Sequence, residues 1–266
     1  MHRKTHPAIA LLVCLCSSTL TYAQTTDLAN GGAEVIWTGT AASQHAGVFL
    51  DQGSVSASDL RRDLIIGAPS AIDVGKVFII FGGPVPVGTV SLTHANVVIS
   101  GAVAGDGFGT VTANGNILNA EGSNNKTLVV AAPNAASGRG AVYVFATGFN
   151  GGESLTTSSA VFTVTGASGD HLGASLATAD IDGDGYRDIV MGAPGTGRIY
   201  VIYGSPSLSG SRDLSTTAAD VRISGSGLGS VLTAADVTKD NHYDLLIGAP
   251  SLNLTYLIKG RTSRSF

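Results

Sequence analysis

Short apolar runs alternate with glycine-rich and polar turns along most of the chain. Four of these runs lie at residues 64–66, 128–130, 189–191 and 245–247. Each run leads through two small residues to a proline, and these prolines recur at intervals of 64, 61 and 56 residues, at Pro69, Pro133, Pro194 and Pro250. An uninterrupted apolar run of this length between turns is typical of a strand buried on both faces. The recurrence indicates a repeated structural unit.

The pattern predicts three further strands in each unit. One follows the proline, at residues 76–81, 141–145, 198–203 and 254–258. Another precedes the apolar run and ends on a glycine, at residues 35–39, 97–101, 162–166 and 221–225. A glycine turn then leads into a strand of small residues, most clearly at residues 105–109 and 169–173. Four strands in a unit of about sixty residues, without a helical segment, indicate a β-propeller blade rather than a sandwich or a βαβ array.

The composition agrees with an all-β chain. The 266 residues include 36 glycines, and only 13% of them are charged. Abundant Val, Thr and Gly with few long helix-forming residues favours short strands and tight turns.

The N-terminus has the features of a secretory signal peptide. Arg3 and Lys4 precede an apolar run at residues 8–15, and a small-residue cleavage site ends at Ala23. The apolar run is shorter than the roughly 20 residues that a membrane-spanning helix requires. We therefore expect no membrane span and a secreted, periplasmic or cell-surface protein.

Cleavage at this site changes what the mature chain contains. Both cysteines, Cys14 and Cys16, lie in the signal, so disulfides would not stabilise the exported protein. Loss of two cationic residues leaves 13 Lys and Arg against 19 Asp and Glu, a formal net charge of -6. Nucleic acid is not expected as a partner.

The predicted organisation is a signal, a linker, the repeats and a tail. The signal covers residues 1–23 and a short linker covers residues 24–33. The repeats cover residues 34–260, and residues 261–266 form the tail. The four units lie at about residues 34–93, 94–158, 159–217 and 218–260.

The third unit contains a loop that is dense in carboxylates. Asp180, Asp182, Asp184 and Asp188 stand at positions 1, 3, 5 and 9 of a loop that leads directly into an apolar run. The glycines between them let the backbone wrap around one cation. A loop of many flexible oxygens favours Ca²⁺ over Mg²⁺, and a solvated acidic turn is the alternative. An EF-hand is excluded because position 12 is Met191 and the flank is a predicted strand.

These motifs resemble the FG-GAP repeat of integrin α-subunit propellers. Phe108 with Gly109 and the Gly-Ala-Pro ending at Pro194 match the two name-giving signatures, and residues 180–188 match the calcium loop. The likeness covers residues 34–260. It implies an all-β propeller of four four-stranded blades, in which the N-terminal strand at residues 35–39 completes the last blade. Because integrin-like propellers usually have seven blades, an open array and a ring completed by a second chain are the alternatives.

The resemblance implies a full Ca²⁺ site in the third unit and a weaker one in the fourth. The first would use the side chains of Asp180, Asp182, Asp184 and Asp188 with the backbone carbonyl of Tyr186. The second would use the equivalent positions Asp236, Thr238, Asp240, His242 and Asp244. A metal-free fourth loop, in which Lys239 offsets the charge, is the alternative.

The first two units are predicted to bind no metal. In unit one, Val55 and Ala57 stand where ligands are needed, although Asp59 and Asp63 remain. In unit two, Thr127 occupies the last position. Degenerate loops beside complete ones favour a structural role for the metal.

No catalytic residue is predicted. The histidines outside the signal, His45, His94, His171 and His242, lack zinc-site spacing, and no Gly-x-Ser-x-Gly elbow is present. Possible glycosylation sequons begin at Asn125 and Asn253.

The expected function is therefore a non-catalytic binding or cell-adhesion module. The resemblance places a protein or glycan ligand opposite the calcium loops, near residues 70–73, 134–137, 195–197 and 251–253. An extracellular hydrolase or phospholipase-type accessory protein is the alternative, because FG-GAP repeats also accompany such catalytic domains.

Overall fold

A computed structural model describes residues 13–15, 35–41, 43–57, 61–70, 72–84, 88–120 and 126–261. For residues 13–15 it describes only the backbone. The predicted cleavage site at Ala23, the linker, Cys16, Asp59, Asn125 and residues 262–266 lie outside these ranges.

The described residues form twenty strands and only short helical turns. The strands are β1 (Val13–Leu15), β2 (Val35–Thr38), β3 (Phe49–Gly53), β4 (Asp63–Ala68), β5 (Val74–Ile80), β6 (Gly88–Ser91), β7 (Val97–Ala104), β8 (Thr112–Gly115), β9 (Thr127–Ala132), β10 (Ala141–Ala146), β11 (Glu153–Thr156), β12 (Phe162–Thr165), β13 (Ser175–Ala179), β14 (Asp188–Ala193), β15 (Arg198–Ile202), β16 (Gly210–Asp213), β17 (Val221–Ser224), β18 (Val231–Ala235), β19 (Asp244–Ala249) and β20 (Leu254–Ile258). The helical turns are Leu92–His94, Ala135–Gly138, Thr157–Ser159 and Pro250–Leu252. The all-β class is confirmed.

The strands form a series of antiparallel meanders, which we number as sheets one to four. Sheet one contains β3, β4, β5 and β7, and sheet two contains β8, β9, β10 and β12. Sheet three contains β13, β14, β15 and β17, and sheet four contains β18, β19 and β20. In each sheet the predicted apolar run forms the second strand. β9 and β14 are buried along their whole length, as expected for strands with a sheet packed on either face.

Sequence reasoning missed an additional parallel strand at the outer edge of two sheets. β11 pairs in parallel with β7, and β16 pairs in parallel with β12. β6 pairs in the same way with β2. The common signal is a glycine with positive φ at or just before each strand, at Gly88, Gly152 and Gly210. The sequence placed these short polar segments in loops because none contains an apolar run.

The described strands form an open array rather than a closed ring. The prediction that residues 35–39 complete the last blade is wrong for this structure, because β2 pairs with β1 and β6. β20 pairs with β19. The open alternative is therefore the one observed.

A separate apolar core fills each space between neighbouring sheets. Val77, Ile99 and Phe108 are fully buried between sheets one and two. The next layer, between sheets two and three, contains Val142 and Met191. Sheets three and four enclose a further layer, and β2 and β6 cover the outer side of sheet one with Val35, Trp37 and Val90. The sheets therefore stack side by side like blades.

Close backbone contact between neighbouring sheets explains the repeated glycines. A Cβ atom on Gly67 would lie 2.1 Å from the carbonyl oxygen of Gly109 in the next unit. A Cβ atom on Gly192 would lie 2.0 Å from the carbonyl oxygen of Gly229. No side chain fits at these distances. The two signature glycines are thus complementary parts of the contact between sheets.

Candidate metal centre

The acidic loop connects β13 to β14 at one end of sheet three. Asp180 holds the loop closed by accepting hydrogen bonds from the backbone N–H groups of Gly183 (2.7 Å), Asp184 (3.1 Å) and Gly185 (2.9 Å). Gly183 and Gly185 have φ values of 74° and 88°. This backbone conformation strongly favours glycine and wraps the loop around its acidic side chains.

Asp188 is the first residue of β14 and is fully buried. One carboxylate oxygen accepts a hydrogen bond from Ile181 N (2.8 Å), and the other accepts one from Gly204 N (3.0 Å). Gly204 follows the third strand of the sheet, β15. Asp188 therefore connects the start of the loop to the end of a different strand.

Three of the predicted ligands come together. Single carboxylate oxygens of Asp180, Asp182 and Asp188 all lie within 4.8 Å of one another. Oxygens that share one Ca²⁺ at 2.3–2.6 Å are separated by at most about 5 Å, so the arrangement fits such an ion. It is the only group of three or more acidic, His or Cys side chains with this proximity in the part of the chain that the structure describes.

The other two predicted ligands of this loop are outside that group. Asp184 is exposed, and its carboxylate accepts a hydrogen bond from Tyr186 N at 2.9 Å. Coordination by Asp184 and by the carbonyl of Tyr186 stays a prediction.

The ionised cluster is electrostatically unfavourable by itself. Burial raises the pKa of Asp188 and the charges of Asp182 and Asp180 add to the rise, so that the pKa is about 7 despite the opposing hydrogen bonds from Gly204 and Ile181. Burial likewise raises the pKa of Asp180. A bound divalent cation would offset both the desolvation and the repulsion.

The loop of the fourth unit repeats the same backbone framework. Asp236 accepts hydrogen bonds from the N–H groups of Asp240 (3.1 Å) and Asn241 (3.0 Å). Lys239 and Asn241, with φ values of 57° and 66°, stand where the third unit has glycines. Left-handed backbone is costlier for these residues than for glycine.

Asp244 has the same buried position as Asp188. It accepts hydrogen bonds from Val237 N and Thr238 N, both at 2.9 Å, and from Gly260 N at 3.1 Å. Asp240 instead accepts a hydrogen bond from His242 N at 3.0 Å. Metal binding by Asp236, Thr238, Asp240, His242 and Asp244 stays a prediction.

The first unit has the same aspartate clamp, although Val55 and Ala57 stand at two of the acidic positions. Asp63 accepts hydrogen bonds from Val55 N and Ser56 N, both at 2.8 Å, and from Gly82 N at 2.9 Å. From the sequence, Asp63 was interpreted only as one remaining ligand position of a degenerate metal loop. The signal that it missed is the joint recurrence of the aspartate with a glycine after the third strand, in the pairs Asp63 and Gly82, Asp188 and Gly204, and Asp244 and Gly260.

The opposite strand ends carry the loops that were predicted to contact a ligand. There Asp170 is fully buried and accepts hydrogen bonds from Ala167 N (2.7 Å), from the hydroxyl of Tyr200 (3.0 Å) and from the hydroxyl of Thr196. Arg198 lies 3.7 Å from the same carboxylate. This network fixes the loop at residues 195–197 against the glycine turn at residues 169–173.

Several non-glycine residues at these ends have left-handed backbone. They are His45, Ala136, Ser137, His171 and Asn253. Of the predicted segment at residues 70–73, residue 71 lies outside the described part. Among the described residues, no helix is long and apolar enough to cross a bilayer.

Comparison with known proteins gives two kinds of similarity. Residues 172–202, which include β13, the acidic loop, β14 and β15, match the FG-GAP repeat family. The chain is also 30% identical over 228 residues to human phosphatidylinositol-glycan-specific phospholipase D, an alignment that covers 74% of this chain and 26% of that protein.

Two further relatives are similar over shorter stretches. The rat phosphatidylinositol-glycan-specific phospholipase D is 38% identical over 101 residues, which cover 32% of this chain and 12% of the relative. Drosophila melanogaster integrin alpha-PS2 is 33% identical over 104 residues, which cover 34% of this chain and 7% of the relative. The chain thus spans about a quarter or less of the length of these relatives. The repeated sheets, the acidic loop and these similarities show that the chain is an FG-GAP repeat protein.

Proposed function

We propose that this chain is an extracellular, calcium-stabilised binding module without catalytic activity of its own. The observation that supports it most directly is the convergence of Asp180, Asp182 and Asp188 on a space suited to one Ca²⁺. The cluster lies within a connection between adjacent strands and is held by backbone hydrogen bonds. This placement suits an ion that contributes to folding free energy.

The proposed ion would hold three parts of sheet three together. Asp180 lies at the end of β13, Asp188 begins β14, and Asp188 also accepts the hydrogen bond from Gly204 beyond β15. Neutralising the carboxylates would stabilise all of these contacts. The ion would thereby serve in place of the disulfides that the mature chain is predicted to lack.

Thermal unfolding with and without Ca²⁺ tests this proposal. We expect Ca²⁺ to raise the melting temperature and EDTA to reverse the effect, because ligand binding to the folded state adds stability. Asp182→Ala should reduce the calcium-dependent shift by removing one anionic ligand. Asp106→Ala, in a glycine turn of another sheet, serves as the control. A melting temperature that is insensitive to both Ca²⁺ and EDTA would rule out the stabilising ion.

The ligand of the module is proposed to be a protein or glycan that binds opposite the metal loop. Support comes from the rigid Asp170 network and the left-handed residues Ala136, Ser137 and His171 in the loops at that end. Strained backbone held by its surroundings is frequent at binding sites. Screening an extracellular protein panel and a glycan array, with His171→Ala and the distant His94→Ala compared on each hit, would test the face. Equal binding by both variants to every hit would argue against it.

A hydrolase-associated role is the second candidate. The similarity over 228 residues to a phosphatidylinositol-glycan-specific phospholipase D favours it. Incubation of the purified chain with glycosylphosphatidylinositol-anchored substrate tests it directly. We expect no turnover. Activity that disappears with a single substitution, while calcium-dependent stability is kept, would favour the enzyme.

Extracellular location is proposed from the N-terminal signal features. Export followed by cleavage after Ala23 would leave Gln24 as the first residue. Mass spectrometry of the exported chain measures this terminus, and retention of residues 1–23 would contradict the proposed cleavage.

A further inference from the structure

The first and last elements of the array lack complementary partners. In sheets one to three an antiparallel fourth strand, β7, β12 or β17, pairs with the third strand. In sheet four, β20 is the third strand and pairs with β19. No fourth strand lies beside it among the described residues.

β2 is a fourth strand without a third strand of its own unit. Like β7, β12 and β17, β2 has apolar residues at its first and third positions. In all four sequences a glycine comes directly after the fourth position. It also pairs in parallel with β6, as β7 pairs with β11 and β12 with β16. The array thus begins with the strand type that its other end lacks.

Sheet four exposes apolar side chains on the side that faces away from sheet three. Leu246 and Leu257 are neighbours across β19 and β20, at the positions that Val190 and Val201 occupy in sheet three. Val190 and Val201 are fully buried under sheet four. Leu257 is 47% exposed, and Val231 on β18 is 55% exposed.

The other end of the array also exposes apolar side chains. Leu50 on β3 is 41% exposed and lies opposite Ile66, on the side of sheet one that faces away from sheet two. Val35 and Trp37 of β2 cover the outer part of that same side. Val48, just before β3, is 58% exposed.

We propose that these two ends bind each other in two copies of the chain. β2 of one copy pairs antiparallel with β20 of the other, and sheet one of the first copy covers the open side of sheet four. In sheet three, Val201 pairs with Val221 and Arg198 pairs with Ser224. The equivalent register places Leu257 opposite Val35 of the second copy and Leu254 opposite its Thr38.

This register puts the apolar side chains on matching sides. Val35 and Trp37 already lie in one apolar core with Ile66 and Phe78 of their own sheet one. When Val35 lies opposite Leu257, the exposed side of sheet four continues directly into that apolar layer. Leu50 and Val231, exposed in the isolated chain, become parts of one buried layer.

The proposed pairing requires removal of the signal peptide. β1 occupies the edge of β2 away from β6, which is the edge that β20 would use. Residues 13–15 belong to the segment predicted to be cleaved after Ala23. Cleavage would therefore expose the edge, whereas the uncleaved precursor keeps it covered.

Two copies are the number that fits the geometry of propellers. The described residues of each chain form four antiparallel sheets, and β2 of the other copy would complete the last of them. Two copies therefore give a ring of eight sheets, at the upper end of the common range of about four to eight. Three chains would give about twelve, beyond that range. Such a ring has two head-to-tail contacts related by a two-fold axis.

Light scattering of the exported chain, with its N-terminus verified by mass spectrometry, tests the assembly. We expect twice the mass of one mature chain at micromolar concentration. A monomer at every concentration examined, whether open or closed by its own β2, would overturn the proposal. Calcium-dependent melting is measured separately, so this failure would leave the proposed function standing.

Variants at the two ends test which surfaces meet. Leu257→Lys and Leu50→Lys should each weaken the dimer about 100-fold, because each buries a charge at the centre of the contact. Val103→Lys, at a site 57% exposed on β7, is the matched control and should leave the dimer unchanged. Circular dichroism checks folding, and Val231→Lys replaces Leu257→Lys if that variant does not fold. Dimers unaffected by these end variants would overturn the proposal.

A mixture of the two variants distinguishes head-to-tail pairing from other dimers. Leu257→Lys retains a normal sheet one, and Leu50→Lys retains a normal sheet four. Mixing them should restore a dimer through one intact contact, weaker than that of the wild type. Absence of any recovery in the mixture would contradict head-to-tail pairing.

Discussion

In three different sheets, a buried aspartate connects the loop before the second strand to the end of the third strand. Asp63, Asp188 and Asp244 each accept hydrogen bonds from the preceding loop and from a glycine after the third strand. Because Asp63 makes these bonds in a unit with Val55 and Ala57 at the first two ligand positions, the clamp does not require the full set of acidic ligands. The proposed metal site would be an addition to this framework of hydrogen bonds.

Removal of the clamp in the first unit should destabilise the protein regardless of calcium. Asp63→Ala leaves three backbone N–H groups without their acceptor, so we expect a loss of about 3 kcal/mol in the free energy of unfolding. Urea denaturation in Ca²⁺ and in EDTA measures it. Asp73→Ala, on an exposed turn, is the control, and equal stabilities of the two variants would contradict the clamp.

The partly buried carboxylate of Asp51 should make the stability of the fold depend on pH. Burial raises the pKa of Asp51, although hydrogen bonds from Asn114, Gln52 and Thr112 oppose the effect. The pKa of Asp51 is therefore higher in the folded than in the unfolded protein, so the group favours folding at pH values below both of these pKa values. This stabilisation is lost as the pH rises through the folded-state pKa. Asp51→Asn should therefore raise the melting temperature at pH 7 relative to wild type and reduce the decline between pH 4 and pH 7.

The control for this pH effect is Asp73→Asn. A pH profile of Asp51→Asn that is parallel to the wild-type profile would show that Asp51 does not carry the dependence.

At the scale of elements, glycines allow the backbones of neighbouring sheets to approach closely, in addition to the packing of their side chains. Gly192 on β14 contacts the carbonyl of Gly229 in the turn before β18. In the second unit Ala131 takes the place of the glycine, and Gly173 of the next turn approaches its side chain. The Gly-Ala-Pro and Phe-Gly motifs therefore encode the approach of two adjacent sheets.

Substitution at this contact should disrupt the packing of sheets three and four. A Cβ atom on Gly192 would lie 2.0 Å from Gly229 O and 2.2 Å from the hydroxyl of Ser175. We expect Gly192→Ala to cost about 2 kcal/mol or more in denaturant unfolding. Gly151→Ala, where the nearest atom lies 3.9 Å away, is the control. A loss below about 0.5 kcal/mol for Gly192→Ala would show that the sheets can separate without cost.

At the scale of the whole molecule, stability is distributed over successive layers of core. Sheets two and three are covered on both sides, whereas sheet four is covered on one. β14 is buried throughout, and β20 is exposed along nearly its full length. This arrangement resembles a linear array in which the end has fewer neighbours.

Hydrogen exchange should follow this gradient. In the monomeric protein, we expect the amides of β20 to exchange before those of β14, because exposed edge strands open locally at low cost. Mass spectrometry of peptides from the two strands measures the order. Equal protection of β14 and β20 in the monomer would contradict the gradient.

The sequence by itself determined the repeated unit, its main strands and the acidic loop. Apolar runs, recurring prolines and carboxylates at alternate positions are local signals, and β4, β9, β14 and β19 lie where those runs predict. The polar strands β6, β11 and β16 were not predicted, because their pairing depends on fourth strands that lie 48 to 56 residues earlier in the chain.

Only the tertiary structure decided which parts of the repeated pattern meet. It brought Asp180, Asp182 and Asp188 together and left Asp184 exposed. It also showed that Asp63 binds backbone N–H groups in a unit where Val55 and Ala57 replace two of the acidic residues. It also left β2 and β20 at different ends of an open array. A linear pattern specifies which strands each unit contains, but ring closure depends on the small rotation between sheets summed over the whole array, which no single segment encodes.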